Sequence, residues 1–210
     1  MRELKNKFGN LRRIDDLIKE IEEDEDISKI MLESYKKESI NIGRISINKS
    51  LILSISLIDS NIEKSSFIDM EFNNCNFSNT KFLNCSFIRC KFNNCKLTGA
   101  NFIDTGIYDS KIYNSNMNYI NIGMTDIKNT VFINTEIRKS YFQEDKLKKI
   151  ELEQVDFTQT EFFRTRLRGI DLSDSIIEGI AVSLDDIRGA IISQFQAVDL
   201  LYLIGVKIKE

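Results

Sequence analysis

The residues with chemistry to offer are first of all four cysteines. Cys75, Cys85, Cys90 and Cys95 crowd into one short window, and a thiolate can serve as nucleophile, metal ligand or redox centre. Their spacing is not that of a zinc motif. All four share one phase of a five-residue period with Ser65, Thr80, Ala100, Thr105 and Ser110, which makes them small core hydrophobes rather than reactive thiols. The chain contains no histidine, so the commonest general base and metal ligand is missing. Nor is there a glycine-rich phosphate-binding motif. These observations predict no enzymatic activity, no metal and no cofactor.

The period that sorts the cysteines organises most of the chain. From Ile42 every fifth residue is apolar, through Ile47, Ile52, Leu57, Ile62 and Phe67 to Ile187 and Ile192, and the phase never slips. Two residues before each lies a mostly small residue, and the other three positions are usually polar. Such a spacing fits neither an ordinary helix nor a flat strand, so it is read as an internal repeat. Residues 40–194 form this repeat. A solenoid with caps fits the 210 residues.

The ends depart from the period. Leu11, Ile14, Leu17, Ile18 and Ile21 lie on one helical face with Asn10 as N-cap; residues 22–26 are an acidic turn, and a second helix is expected over 27–37, with Ile30, Met31 and Ser34 or Tyr35 inward. Residues 1–39 are thus predicted to be a helical cap over the first coil, or an arm for a partner. At the other end Ser193 and Gln196 have capping-box spacing, a helix is expected over 195–203, Gly205 ends it, and 206–208 form a short strand. The first residues lack an apolar signal core, and no apolar run reaches membrane-spanning length. A cytoplasmic location without membrane contact is the expectation. A net charge of -3 gives no reason to expect direct nucleic-acid binding.

The repeat resembles the pentapeptide repeat family, whose pattern is a small residue, Asn or Asp, Leu or Phe, then two variable residues. Cys75, Asn76, Phe77, Ser78, Asn79 and Ala100, Asn101, Phe102, Ile103, Asp104 fit it closely. The resemblance implies an all-β solenoid, a right-handed quadrilateral β-helix in which four repeats make one coil of about 20 residues, with the central and small residues inward. Residues 40–194 would then make a little under eight coils and a rod of roughly 37 Å at about 4.8 Å per coil. Cys75 and Cys95 would stack one coil apart, within reach of a bridge that a reducing cytoplasm disfavours. Corner positions such as Asn74, Asn79, Asn84 and Gly99 tolerate unusual turn dihedrals, and Asn74, Asn94, Asn114 and Asn134 should stack in a ladder. Asp145 falls at an inward position, where an unpaired carboxylate is costly. The coil is therefore expected to distort there, or Asp145 to turn outward. Asp186, Ile187, Arg188, Gly189 and Ala190, with Gln196, Ala197, Leu200, Leu201, Ile204, Gly205 and Val206, resemble the C-terminal ending of many bacterial members, which in the quinolone-resistance relatives forms a two-fold dimer. By analogy residues 195–210 are a homodimerisation module built on Phe195, Leu200, Leu201, Ile204, Val206 and Ile208.

Stepping by 20 along this implied coil turns outward residues into columns. One reads Ile68, Ile88, Tyr108, Lys128, Lys148, Arg168, Arg188, with Lys146 and Arg166 on the same face. Its lower half is a basic candidate docking face. Glu151, Glu153, Asp171 and Asp174 make an acidic face beside it. Ile68, Ile88 and Tyr108, with Leu83 and Ile103 one face away, are expected to expose an apolar strip. The leading functional expectation is a non-catalytic scaffold docking a protein partner. The alternative, implied by the resemblance, is a DNA mimic that inhibits a type II topoisomerase such as DNA gyrase or protects it from quinolones. A faithful mimic of that length would carry about 20 negative charges, whereas residues 40–194 hold 18 basic and 19 acidic residues, a net of -1.

Overall fold

The protein, a computed structural model, is described over residues 9–207. Its short strands are all parallel and stack into a thirteen-stranded, an eight-stranded and a two-stranded sheet. Register partners lie 20 residues apart: Phe67 faces Phe87, Phe72 faces Phe92, and Phe82 faces Phe102. With one apolar centre every five residues, 20 residues give four sides per coil. The solenoid runs for about nine turns.

Inside, the period becomes packing. Phe67 and Phe87 stack at 4.9 Å, Phe72 and Phe92 at 4.8 Å, while Phe87 meets Phe82 and Phe92 edge-on around the corners. The small residues form a second ladder. Cys90 and Cys95 backbone N–H groups donate to Ser110 and Ser115 Oγ at 3.0 Å, and Thr130 Oγ1 donates to the Lys128 and Ile107 carbonyls. All four cysteines are free and buried. Cys90 Sγ donates to the Phe67 carbonyl at 3.2 Å. Burial pushes the Cys85 thiol up to about 11 and Cys90 to about 12. The apolar interior leaves voids of only about 30 Å³.

Corners are made by left-handed residues. From Ile42 to Leu167, position two after each apolar centre has positive φ, near +50° for the non-glycine residues, as in Asn74, Asn94, Asn114 and Asn134. Lysine, arginine and even Tyr119 and Met124 also adopt it, but no β-branched residue does. A branched Cβ would collide with the following carbonyl there. The asparagine ladder is interrupted: Asn94 donates to Asn74 at 2.6 Å and Asn134 to Asn114 at 2.9 Å, whereas Asn114 turns to Asn93.

Three expectations need correction. First, the predicted helix over 27–37 is three strands, Asp26–Ser28, Ile30–Glu33 and Lys36–Glu38, which pair one coil ahead with Ser46–Asn48, Leu51–Leu53 and Ser56–Ile58. Ile27 and Leu32 hold the phase of five, and stacking buries them along with Ile30. The helix before them is shorter than expected, Leu17–Glu23, and its N-cap is Asp16 rather than Asn10. Arg12–Ile14 is a strand against Ile30–Leu32. Second, Asp145 points inward and is 6% exposed, with the coil in register around it. Its Oδ1 accepts from the Thr125 N–H at 2.8 Å, and its own N–H donates to Thr165 Oγ1 at 3.1 Å. The carboxyl replaces a threonine in the small-residue ladder. That is why no distortion is needed. Its Oδ2 has no hydrogen-bond partner by geometry, and desolvation raises the carboxyl to about 7 against the backbone of Thr125 and Gln143, which lowers it.

Third, the C-terminal segment is not one continuous helix. Ala197–Leu200 is α-helical, Leu201–Ile204 is a 3-10 turn, and Gly205 closes it at φ 74°. Val206 and Lys207 carry no strand, and Ile208 lies outside the described residues. Ser193 and Gln196 do cap one another, at 2.8 and 3.3 Å. Gln196 Nε2 also donates to the Leu172 and Ser175 carbonyls, closing the open end of the last coil. Sequence spacing alone did not reveal that second pair.

Candidate docking surface

Outward residues on one side of the lower coils build the surface. Lys146–Asp156 pairs with Asp126–Glu136, so that Lys128 stands over Lys148 and Asp126 over Lys146. Arg166, Arg168 and Arg188 continue the basic face on the following turns. All six cations of the sequence reading are exposed. Among the described residues one of them is ion-paired, Arg188 with Asp185 at 3.6 Å. Elsewhere on the rod, three arginines meet carboxylates one coil away: Arg89 holds Asp69 at 2.7 Å, Arg164 holds Glu144 at 3.0 Å, and Arg138 holds Asp156 at 2.7 Å. On the lower basic face stacking puts Lys148 over Lys128, like charge over like charge, a repulsion of up to about 0.8 kcal/mol even in water.

Glu151 and Glu153 stand out from the adjacent side and are exposed, as are Asp171 and Asp174. The two aspartates serve local turns. Asp171 accepts from the Ser173 hydroxyl and N–H, which lower its carboxyl, and Asp174 Oδ2 accepts from the Gln154 N–H at 3.2 Å. Only the two glutamates stay free of such tasks. The upper strip of Ile68, Ile88 and Tyr108, with Leu83 and Ile103, is half-buried rather than open, because each side chain is covered by its neighbours in the stack. The Tyr108 ring lies over Gly106, where a Cβ would come within 2.4 Å of it.

The exposed apolar residues lie elsewhere. Phe163 is 45% exposed and Leu184 51%, both close to the basic face along the chain. Neither was singled out from the sequence, although an aromatic one place after the apolar centre is an outward phenylalanine by the rule of the period. At the C-terminal end Phe195 is 80% exposed and Ile204 62%, Val206 is also exposed, Leu201 is half-buried and Leu200 packs on the core. Among the described residues no cluster of three or more Cys, Asp or Glu is placed to hold a metal ion. No helix among them is long and apolar enough to cross a membrane.

Residues 85–162 match a family model described as a pentapeptide repeat region. No curated protein sequence is matched significantly. Among solved structures the chain is similar to HetL, a pentapeptide repeat protein involved in heterocyst differentiation regulation from the cyanobacterium Nostoc sp. strain PCC 7120, with a TM-score of 0.51 and 12% identity, covering 86% of this chain and 93% of that one. A trypsin-treated form of QnrB1, a plasmid-mediated fluoroquinolone resistance protein, matches at a TM-score of 0.44 and 14% identity, covering 85% of this chain and 100% of that one. Rfr23, a pentapeptide repeat protein from the cyanobacterium Cyanothece 51142, matches at 0.29 and 10%, covering 84% and 97%. HetL's score supports a shared fold, and the two lower scores carry no weight. With its unbroken period of five and its four-sided parallel coils, the chain has the fold of a pentapeptide repeat protein, and at its centre, residues 85–162, it carries a pentapeptide repeat region.

Proposed function

We propose that the protein is a non-catalytic scaffold whose lower basic face docks a protein partner. What carries this reading is the clustering of five exposed cations, Lys128, Lys146, Lys148, Arg166 and Arg168, on consecutive coils, none of them in an ion pair among the described residues. Concentrated charge of one sign steers and selects a partner more than it stabilises the fold. The acidic face, with Glu151 and Glu153 free, gives the docking surface a second sign. The exposed Phe195, Ile204 and Val206 support a C-terminal homodimer as the way two rods are joined.

The experiment compares quantitative capture of binding partners by the wild-type chain, by Lys148→Glu combined with Arg168→Glu, and by Glu151→Lys combined with Glu153→Lys. All four positions are exposed, so folding is retained and is checked by thermal melting. The basic reversal is expected to lower capture by about tenfold or more, a loss of roughly 1.4 kcal/mol. Equal capture by wild type and the basic reversal would refute the docking role. A topoisomerase-directed DNA mimic fits less well, since the repeat is nearly neutral and a phosphate track is not. Accordingly, gyrase supercoiling with and without a quinolone is expected to be unchanged by micromolar protein.

A further inference from the structure

Where the basic face turns into the preceding side, the last two coils open two neighbouring grooves that share Asp186. The first, about 300 Å³, lies between Glu161–Phe163 and Ala181–Val182, with Phe163 on its wall. The Arg164 guanidinium sits over the Phe163 ring at 5.0 Å and is tied to Glu144 at 3.0 Å. The second, about 460 Å³, is lined by Arg166, Arg168 and Arg188 together with Asp185 and Asp186. Gly189 keeps it open: a Cβ there would come within 3.1 Å of the Arg168 stem.

We propose that this corner binds an extended acidic peptide carrying one apolar anchor, the anchor seated against Phe163 and the carboxylates on Arg166, Arg168 and Arg188. This rests on the scaffold reading and names the chemistry of its partner. Guanidinium forks match carboxylates two bonds at a time, and Arg166 and Arg168 have no carboxylate of their own among the described residues. Aromatic and arginine side chains set side by side are the composition that dominates binding at protein interfaces.

Asp186 argues for a peptide over a nucleic acid. It is pinned at the join of the grooves, with its Oδ2 accepting from the Ser183 hydroxyl at 2.7 Å and its N–H donating to Ser183 Oγ at 3.1 Å. Asp185 stands beside it, 3.6 Å from Arg188. A phosphodiester chain must carry a charge at every nucleotide and so would press one against these carboxylates. A peptide can present a neutral residue or a backbone N–H at that step.

The test titrates a fluorescent peptide of Asp and Glu around a single leucine into the full chain. Controls are the same peptide with the leucine replaced by serine, the same with Asn and Gln for its acids, and a short oligothymidylate. Saturable binding is expected for the anchored acidic peptide, weakening as salt rises. Arg166→Glu with Arg168→Glu should weaken it about tenfold or more, and Phe163→Ser about fivefold. The proposal is overturned by no saturable binding to the wild-type chain, by equal affinity in these variants, or by tighter binding of the oligothymidylate. If the peptide fails while Lys148→Glu with Arg168→Glu still abolishes partner capture, the docking face stands and the peptide corner falls.

Discussion

Replacing Phe87 by alanine is expected to destabilise the protein by about 4 kcal/mol, the range for a fully buried phenylalanine. Phe87 is 1% exposed, stacks on Phe67 at 4.9 Å, and meets Phe82, Phe92 and Phe102 edge-on at 5.4, 5.6 and 6.1 Å. Neighbouring coils above and below hold the void open, so little relaxation offsets the loss. In a solenoid each coil touches only its neighbours, and cutting the central ladder uncouples the coils on either side. Urea unfolding of Phe87→Ala should therefore show a lower midpoint and a broadened or split transition. Leu152→Ala, at a half-buried position of the same kind of ladder, should cost clearly less. Equal losses at both sites would mean that the phenylalanine stack is not the centre of stability.

Asp145 sets the second expectation, a stability that falls with rising pH. Its carboxyl titrates at about 7 in the folded chain, against a reference of 3.8, because burial disfavours the charged form. Below about pH 4 both states hold the proton and the contribution is fully present. Between about 4 and 7 the unfolded chain is ionised while the folded one is still neutral, so stability is lost as pH rises. A shift of about 3 units corresponds to about 4 kcal/mol over that window. Asp145→Thr restores the ladder residue found at Thr125 and Thr165, whose hydroxyl both donates and accepts. The variant should match the wild type near pH 4 and exceed it by several kcal/mol near pH 8. Paired carboxylates such as Asp156 have lowered values and slope the other way, so the difference between variant and wild type is the quantity to measure. A pH-independent difference would show that the Asp145 carboxyl titrates normally.

The centre of the fold was legible because one rule, an apolar residue every five, fixes both what is inside and where each chain corner falls. Ile30 and Tyr35 explain why the start was misread. Large residues fill the slots that over 75–115 hold Ser, Thr, Cys or Ala, and Ile27, Ile30 and Met31 also satisfy a helical spacing. Burial under the next coil decided for strands, a contact that no local pattern encodes. Asp145 was misjudged for a related reason. A carboxyl oxygen can take the place of a threonine hydroxyl as acceptor for an N–H one coil back, so the inward position costs a shifted titration rather than a broken coil.

Of the candidate surface, the basic column was readable by stepping 20 residues at a time, since vertical stacking follows from coil length alone. The grooves beside it were not. They depend on how Arg168 lies along Gly189 and how Arg164 folds over Phe163, choices made by side-chain packing rather than by spacing. The C-terminal closure by Gln196 on Leu172 and Ser175 was invisible for the same reason.

The claim that partners are bound on the lower basic face is tested most directly by lysine-selective acetylation of the free and partner-bound protein. Lys128, Lys146 and Lys148 are predicted to react at least about tenfold more slowly in the complex, with Lys81 and Lys96 unchanged. Free reaction at Lys128, Lys146 and Lys148 in the complex, with protection at Lys81 or Lys96, would contradict it.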